Sequence, residues 1–195
     1  MNKLSGTFFK YRSYTPIPFV IVMLLYANPN VWSIIAGFTI AFLGEMIRFW
    51  GVSWAGSETR TTSTAGGTFL IISGPFAHVR NPLYVGNILM YTGLGIMSFA
   101  IFPWLQIAGL VFFTVQYLSI IKGEEAHLSS TFGDDYQSYL KNVPRLFPRI
   151  SAYRAPGVVQ PPFNSAAGRR SEKRSIQAFV IVALTILLIW FLRRL

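Results

Sequence analysis

The side chains best suited to chemistry are concentrated in a polar stretch that meets a long apolar run. Hydrogen-bond donors and acceptors in this stretch come from His78, Arg80, Asn81 and Tyr84. A helix that begins near Pro82 would add unused backbone N–H groups and the positive end of a dipole. Such a helix start favours a negatively charged ligand group. The stretch therefore predicts a binding site for a polar ligand that carries an anionic group.

Two adjacent carboxylates, Glu124 and Glu125, follow forty residues after Tyr84. The apolar runs between the two polar stretches have helical length, and a hairpin of two such helices returns both stretches to one membrane face. A pair of carboxylates there suits the hydroxyl groups of a ribose or a positively charged amine. This arrangement favours a membrane-embedded enzyme with an amphiphilic, nucleotide-like cofactor over a passive membrane anchor.

The composition is that of an integral membrane protein. Hydrophobic residues make up 52% of the 195-residue chain and charged residues only 12%, whereas soluble domains carry roughly 25% charged residues. The chain contains no cysteine and two histidines, which excludes disulfides and thiolate nucleophiles and argues against a metal site. Its length corresponds to one domain with a possible appended segment.

Five apolar runs predict about five transmembrane helices. They cover residues 14–27, 31–54, 83–102, 104–121 and 176–192. The last run is close to the minimum of about 17–20 residues that a membrane helix needs. The first is shorter, and either crosses a thinned bilayer or packs against the second. We therefore expect an all-α integral membrane protein whose cofactor site lies on the cytoplasmic face, built by the hairpin of the third and fourth spans and the polar segments that follow.

The formal net charge of +10 agrees with this topology. With five spans, the basic residues before the first span, between the second and third, and after the fourth all lie on one side. The positive-inside rule assigns that side to the cytoplasm. We therefore expect a protein of a bacterial or archaeal inner membrane that contacts membrane lipids and binds neither nucleic acid nor metal.

Composition divides the chain into three segments. Residues 1–148 form a membrane domain with its core at 30–148, and residues 176–195 form a C-terminal transmembrane helix. Between them, residues 149–175 contain three prolines and a basic run, which predicts an extended or disordered linker. The basic end of the linker is interpreted as a cluster that sets topology, with attraction to anionic lipid headgroups as the alternative.

Two features of the second span concern its packing. Gly37, Gly44 and Gly51 recur every seven residues, close to two helical turns, and small residues on one face allow helices to approach closely in lipid. Glu45 and Arg48 are three residues apart and can face each other. Ionisable residues inside a membrane are functional candidates, so this pair either belongs to the site or forms an ion pair that fixes helix packing.

Two blocks of the sequence resemble the superfamily of isoprenylcysteine carboxyl methyltransferases and phospholipid N-methyltransferases. Members carry Gly-x-Tyr, then Arg-His-Pro-x-Tyr-x-Gly and, after a helical hairpin, Glu-Glu, Phe-Gly-x-x-Tyr and a closing run that ends in Pro. The corresponding segments here are Gly74-Pro75-Phe76, Arg80-Asn81-Pro82-Leu83-Tyr84-Val85-Gly86, Glu124-Glu125, Phe132-Gly133-Asp134-Asp135-Tyr136 and Val143-Pro144-Arg145-Leu146-Phe147-Pro148. The resemblance covers residues 30–148 and does not reach the linker or the last span.

The resemblance implies that residues 1–148 bind S-adenosylmethionine without a soluble Rossmann fold. It also implies methyl transfer to a lipophilic acceptor, a carboxylate or an amine, that enters from the bilayer. The resemblance and the polar stretch together nominate the cofactor-binding residues Thr61, Thr68, Phe69, Leu70, Ile71, Phe76, His78, Arg80, Asn81, Pro82, Leu83, Tyr84 and Glu124.

Three departures from the family pattern bear on the activity. Asn81 replaces the family's His and cannot titrate, and Phe76 replaces a Tyr whose hydroxyl would make a polar contact. Ile120 stands where carboxyl-methylating members place an Arg that holds the substrate carboxylate. Arg145 is therefore nominated as a catalytic residue in place of that Arg, with Lys122 as the alternative.

The acceptor decides whether a base is needed. A carboxylate needs none, whereas an amine or hydroxyl must lose a proton, and Glu45, Glu125 and His78 are the candidate bases. His78 has a second interpretation, a hydrogen bond that fixes the loop. Two other functions remain open. One is an NADPH-dependent membrane reductase of similar helical arrangement, and the other is a non-catalytic scaffold that keeps the family fold.

Overall fold

The regular secondary structure of the described part of the chain is helical. The computed structural model describes residues 3–56 and 69–195. Its α-helices are α1 (Lys3–Tyr11), α2 (Pro16–Leu25), α3 (Val31–Ala55), α4 (Pro82–Ser98), α5 (Trp104–Asn142) and α6 (Ser165–Leu192), and a 3₁₀ helix at Gly74–Ala77 precedes α4. No β-strand occurs in these residues, so the predicted all-α class is confirmed.

Three of the helices, α3, α5 and α6, are long and apolar enough to cross a membrane. Large apolar side chains on them are exposed, including Trp32, Val111 and Ile181, and apolar surface of this kind marks a membrane or interaction face. Helix α4 has 17 residues and α2 has 10, fewer than the roughly 20 of a typical span. The structure therefore supports a membrane protein, while the five-span topology stays a prediction.

The predicted linker is wrong in its last part. Helix α6 begins at Ser165, so residues 165–175 are helical and not extended. Asn164 caps the helix, because its Oδ1 accepts a hydrogen bond from the backbone N–H of Ala167 at 2.9 Å. The segment after the cap is rich in Ala, Arg and Lys, which favour helix. The prolines that indicated a linker all precede Asn164.

Helix α5 continues past the fourth predicted span into the polar block. It has 39 residues, and its helical geometry is interrupted at Gly133, where φ is +50°. Glycine adopts a positive φ at little steric cost, which explains the Gly of the Phe-Gly-x-x-Tyr block. One helix therefore carries both the apolar span and the carboxylates at Glu124 and Glu125.

The chain folds as two compact units. The first comprises Met1–Glu45, Gly86–Ile120 and Arg174–Leu195, and the second comprises Met46–Val85 and Ile121–Lys173. Both Glu124 and Glu125 therefore belong to the second unit, together with the polar stretch before α4.

Each unit has its own apolar core. The core of the first contains side chains from α2, α3, α4 and α6, among them Met23, Ala41, Met97 and Ile186. The core of the second holds residues before the 3₁₀ helix against the end of α5, and its members are Leu70, Ile72, Tyr136, Tyr139 and Val143. The second core thus determines where the polar stretch lies relative to the end of α5.

Glycines allow α3 and α4 to pack at backbone contact within the first unit. A Cβ at Gly37 would overlap the backbone of Met97, and a Cβ at Gly44 would overlap the carbonyl oxygen of Gly86. No larger residue fits at either position without moving a helix backbone. The predicted packing role of the second-span glycines is therefore confirmed at Gly37 and Gly44.

Candidate cofactor site

A hydrogen bond joins the first turn of α4 to α5 in the second unit. The phenol of Tyr84 donates to Glu124 Oε1 at 2.7 Å across forty residues of sequence, and both side chains are half-buried. The two residues come from the two polar stretches that the sequence analysis singled out. The structure therefore brings these stretches together.

The neighbouring carboxylate of Glu125 lies between two guanidinium groups. Its Oε1 accepts hydrogen bonds from Arg80 Nε at 3.2 Å and Arg145 Nε at 3.1 Å, and its Oε2 accepts one from Arg145 Nη2 at 2.5 Å. Arg80 Nη2 lies 3.1 Å from Oε1 as well. The hydrogen bonds that Arg145 donates to Glu125 raise the pKa of its guanidinium above the ordinary value. We call these three residues the Glu125 clamp.

Arg80 also holds the end of α5. Its Nη1 donates to the carbonyl oxygens of Leu140 and Val143, both at 2.7 Å, and its backbone N–H donates to Pro144 O at 2.9 Å. The last carbonyls of a helix have no partner within the helix and carry partial negative charge. The Arg80 guanidinium supplies these carbonyls with both hydrogen bonds and a positive charge. Arg80 therefore links the start of α4, the end of α5 and Glu125.

The residues on either side of Arg80 fix the segment that follows α5. Asn81 Nδ2 donates to Arg145 O at 3.1 Å. His78 Nδ1 donates to Arg149 O at 2.9 Å, and the backbone N–H of Arg149 donates to His78 O at 2.9 Å. Because a carbonyl oxygen only accepts, Nδ1 carries the hydrogen. The interpretation of His78 as a residue that fixes the loop agrees with this reciprocal pair.

The side chains of residues 69–71, which the sequence nominated for cofactor binding, differ in their exposure. The backbone here is held by one side chain, since Gln160 Nε2 donates to Leu70 O and Gln160 Oε1 accepts from Ile72 N–H, both at 2.8 Å. The Leu70 side chain is buried, Ile71 is half-buried and Phe69 is exposed. Phe69 and Ile71 therefore keep side-chain surface for a ligand, while Leu70 holds the segment in place. Gln160 lies in the predicted linker, where no sequence signal marked it.

The remaining nominated residues lie around the 3₁₀ helix and the start of α4, or outside the described chain. Phe76 is half-buried, and its carbonyl oxygen accepts a hydrogen bond from the Tyr139 phenol at 2.7 Å. Pro82 is buried and Leu83 is half-buried at the first turn of α4. Thr61 and Thr68 lie outside the described residues.

Gly74 is explained by a close approach at the 3₁₀ helix. Its φ is +60°, and a Cβ at this position would overlap the indole ring of Trp54. Both the backbone conformation and the lack of space favour glycine. The Gly of the first family block therefore has a packing role here.

Arg48 pairs with a residue of α6. Its Nη2 and Nε donate to Glu172 Oε2 at 2.6 and 3.2 Å, and Glu172 is only 3% exposed. In the first unit, Glu45 Oε2 accepts a hydrogen bond from Ser175 Oγ at 3.1 Å. Glu45 thus belongs to a different unit from the Glu125 clamp. Both α6 partners, Glu172 and Ser175, lie in the segment that was predicted to be a linker, so no sequence signal marked them.

A comparison with known families identifies the chain. The family model described as phospholipid methyltransferase (PEMT) matches residues 32–135, more than half of the chain. The chain belongs to this family. Both Tyr84 and Glu124 lie inside the matched region, whereas Arg145 and α6 lie beyond it.

Two similar proteins are named as metal-resistance proteins. The cobalt-zinc-cadmium resistance protein CzcN of Cupriavidus metallidurans is 32% identical over 145 residues, which cover 71% of this chain and 62% of that protein. The nickel-cobalt-cadmium resistance protein NccN of Alcaligenes xylosoxydans xylosoxydans is 31% identical over 126 residues, which cover 65% of this chain and 56% of that protein. The chain thus spans about six tenths of the length of these relatives. No solved structure matches it.

Replacing Glu125 by Gln is expected to destabilise the second unit. The change leaves two guanidinium groups without their carboxylate, and breaking such a partly buried pair costs about 2–4 kcal/mol. The matched control is Asp135→Asn, which removes the same charge at an exposed position of α5 and should cost less than about 0.5 kcal/mol. The free energy of unfolding in detergent measures both effects. Equal stability of the two variants would contradict a structural role for the clamp.

Proposed function

We propose that this protein transfers a methyl group from S-adenosylmethionine to a lipophilic acceptor, a carboxylate or an amine, that enters from the bilayer. The observation that carries this proposal is the Tyr84–Glu124 hydrogen bond, which joins both polar blocks inside the family's region. The proposal includes a five-span topology with this contact on the cytoplasmic side, supported by the distribution of basic residues.

The residues near this contact have the chemistry that the cofactor requires. Glu124 presents a carboxylate for ribose hydroxyls or for the positive groups of the cofactor, and Tyr84 orients it. The start of α4 supplies backbone N–H groups and a positive dipole end that suit the cofactor's own carboxylate. Phe69 and Ile71 offer apolar surface of the kind that lines nucleotide pockets. These donors, acceptors and apolar surfaces fit S-adenosylmethionine.

The Glu125 clamp acts by positioning in this proposal. Both carboxylate oxygens of Glu125 accept hydrogen bonds from guanidinium groups, so this side chain connects separate segments of the second unit. Arg145 directs its Nε and Nη2 at Glu125, so contact with an acceptor carboxylate would fall to its Nη1. We therefore assign Glu125 a positioning role and keep Arg145 as the candidate for a carboxylate acceptor. The nomination of Glu45 as a base stays a prediction from the sequence.

Catalysis of this kind depends mainly on alignment. S-adenosylmethionine would supply an electrophilic methyl group, whose bond to sulfur breaks as the acceptor attacks in line and which leaves S-adenosylhomocysteine as the product. The chain contributes by holding both reactants in one geometry, which replaces a bimolecular encounter by an oriented one. The hydrogen bonds between the start of α4 and α5 fix the binding groups before a ligand arrives, and such preorganisation reduces the entropy lost on binding.

The wild-type protein in detergent is expected to bind S-adenosylhomocysteine, the cofactor product. Glu124→Gln removes the carboxylate charge and should weaken binding at least about tenfold, equivalent to about 1.4 kcal/mol. Tyr84→Phe removes one hydrogen bond to that carboxylate and should also weaken binding, by about 1 kcal/mol. Isothermal titration calorimetry measures the three dissociation constants.

The matched control for this experiment is Asp134→Asn, which removes one negative charge from an exposed position of α5. Thermal unfolding of every variant separates lost binding from lost folding. Unchanged affinity in both site variants would overturn the assignment of Tyr84 and Glu124. A folded wild-type protein that does not bind would overturn the methyltransferase proposal. It would then favour the scaffold or, if NADPH binds instead, the reductase.

We further infer that the methyl transfer contributes to metal tolerance, because both relatives are named as metal-resistance proteins. A bacterial strain sensitive to cobalt, zinc and cadmium is expected to grow at higher metal concentrations when it expresses the wild-type chain. The Glu124→Gln variant should give only the tolerance of the empty vector. Equal protection by both would contradict a role for methyl transfer, and no protection by the wild type would refute the inferred role.

A further inference from the structure

Two large apolar side chains project from the connector between α5 and α6. Ile150 is 99% exposed and Phe147 is 84% exposed, although both lie outside the helices. Single exposed apolar residues are common on protein surfaces. Phe147 and Ile150 are only three positions apart in a segment that contains three arginines, and together they form an exposed apolar projection of the kind that marks an interaction surface.

The backbone on both sides of these residues is fixed. Before them, Arg145 is bound to Glu125 through its side chain and to Asn81 through its carbonyl oxygen. Between Phe147 and Ile150, Arg149 exchanges two hydrogen bonds with His78. Beyond Ile150, the backbone N–H of Tyr153 donates to Ala77 O at 2.9 Å. Phe147 and Ile150 are therefore exposed on a connector whose backbone is held by hydrogen bonds at several points.

The ties place this connector where α4 begins. Its partners His78 and Asn81 immediately precede Pro82, the first residue of α4, and the third predicted span starts at the next position. Basic side chains lie on either side of Phe147 and Ile150 in the sequence, and Lys141 and Arg154 are both exposed. Apolar side chains next to cations suit the interface of a bilayer, because the apolar groups contact the acyl chains and the cations pair with the lipid phosphates.

We propose that Phe147 and Ile150 insert into the interfacial layer of the lipid bilayer and hold this connector on the membrane surface. The partner is the bilayer itself, because the projection is apolar, its flanks are basic, and its backbone is tied to the start of a predicted span. The insertion keeps the segment that carries Arg145 at the depth from which a lipophilic acceptor arrives. It does not depend on which reaction the protein catalyses.

The absence of cysteine from the sequence allows a direct test with single nitroxide labels. Phe147→Cys and Ile150→Cys are labelled in the full chain, in nanodiscs of phosphatidylethanolamine and phosphatidylglycerol. The aqueous control is Asp135→Cys, at an exposed position of α5. The lipid control is Ile181→Cys, at an exposed position of the apolar helix α6. Power saturation then compares collisions with oxygen, which concentrates in lipid, and with a water-soluble nickel chelate.

Insertion predicts an oxygen-to-nickel collision ratio at both connector positions well above that of the Asp135 control and towards that of Ile181. A ratio equal to the Asp135 control would overturn the proposal and place the connector in water. Low collision rates with both reagents would also overturn it, since they would show that protein, either a second copy or another partner, covers the projection. Thermal unfolding of each labelled variant verifies that the chain is folded.

Discussion

The arrangement of the second unit depends on the ion pairs that the carboxylate of Glu125 forms with Arg80 and Arg145. A partly buried charge is stable only when it is paired and hydrogen-bonded, and Glu125 meets this requirement with guanidinium groups from two separate segments. Arg80 comes from the approach to α4, and Arg145 from the segment after α5. The carboxylate therefore fixes three parts of the chain at once, and Arg80 extends the same network to the last carbonyls of α5.

The adjacent Glu124 has a different partner because of helix geometry. Successive residues of an α-helix point about 100° apart, so a helix that turns Glu125 towards Arg80 and Arg145 turns Glu124 in another direction. That direction leads to Tyr84, in the first turn of α4. Two identical side chains thus have different surroundings, since Glu125 lies between two guanidinium groups and Glu124 accepts a hydrogen bond from a phenol.

The sequence indicated the helical membrane fold and the meeting of the two polar stretches, because both follow from long apolar runs and from the hairpin that joins them. It did not indicate Glu172 as a partner of Arg48 or Gln160 as the partner of residues 70–72. Glu172 and Gln160 are single polar residues far along the chain, and long-range pairing of this kind leaves no periodic signal. The start of α6 was missed for a different reason, since the cap at Asn164 is a local feature that nearby prolines obscured.

A double-mutant cycle on Glu125 and Arg145 tests whether the Glu125 clamp holds the second unit together. The free energy of unfolding in detergent is measured for the wild type, Glu125→Gln, Arg145→Gln and the double variant. Because the two side chains act through one shared interaction, the account predicts a coupling energy of at least about 1 kcal/mol, with the double variant less damaged than the sum of the single changes. Additive effects within about 0.5 kcal/mol would contradict the account.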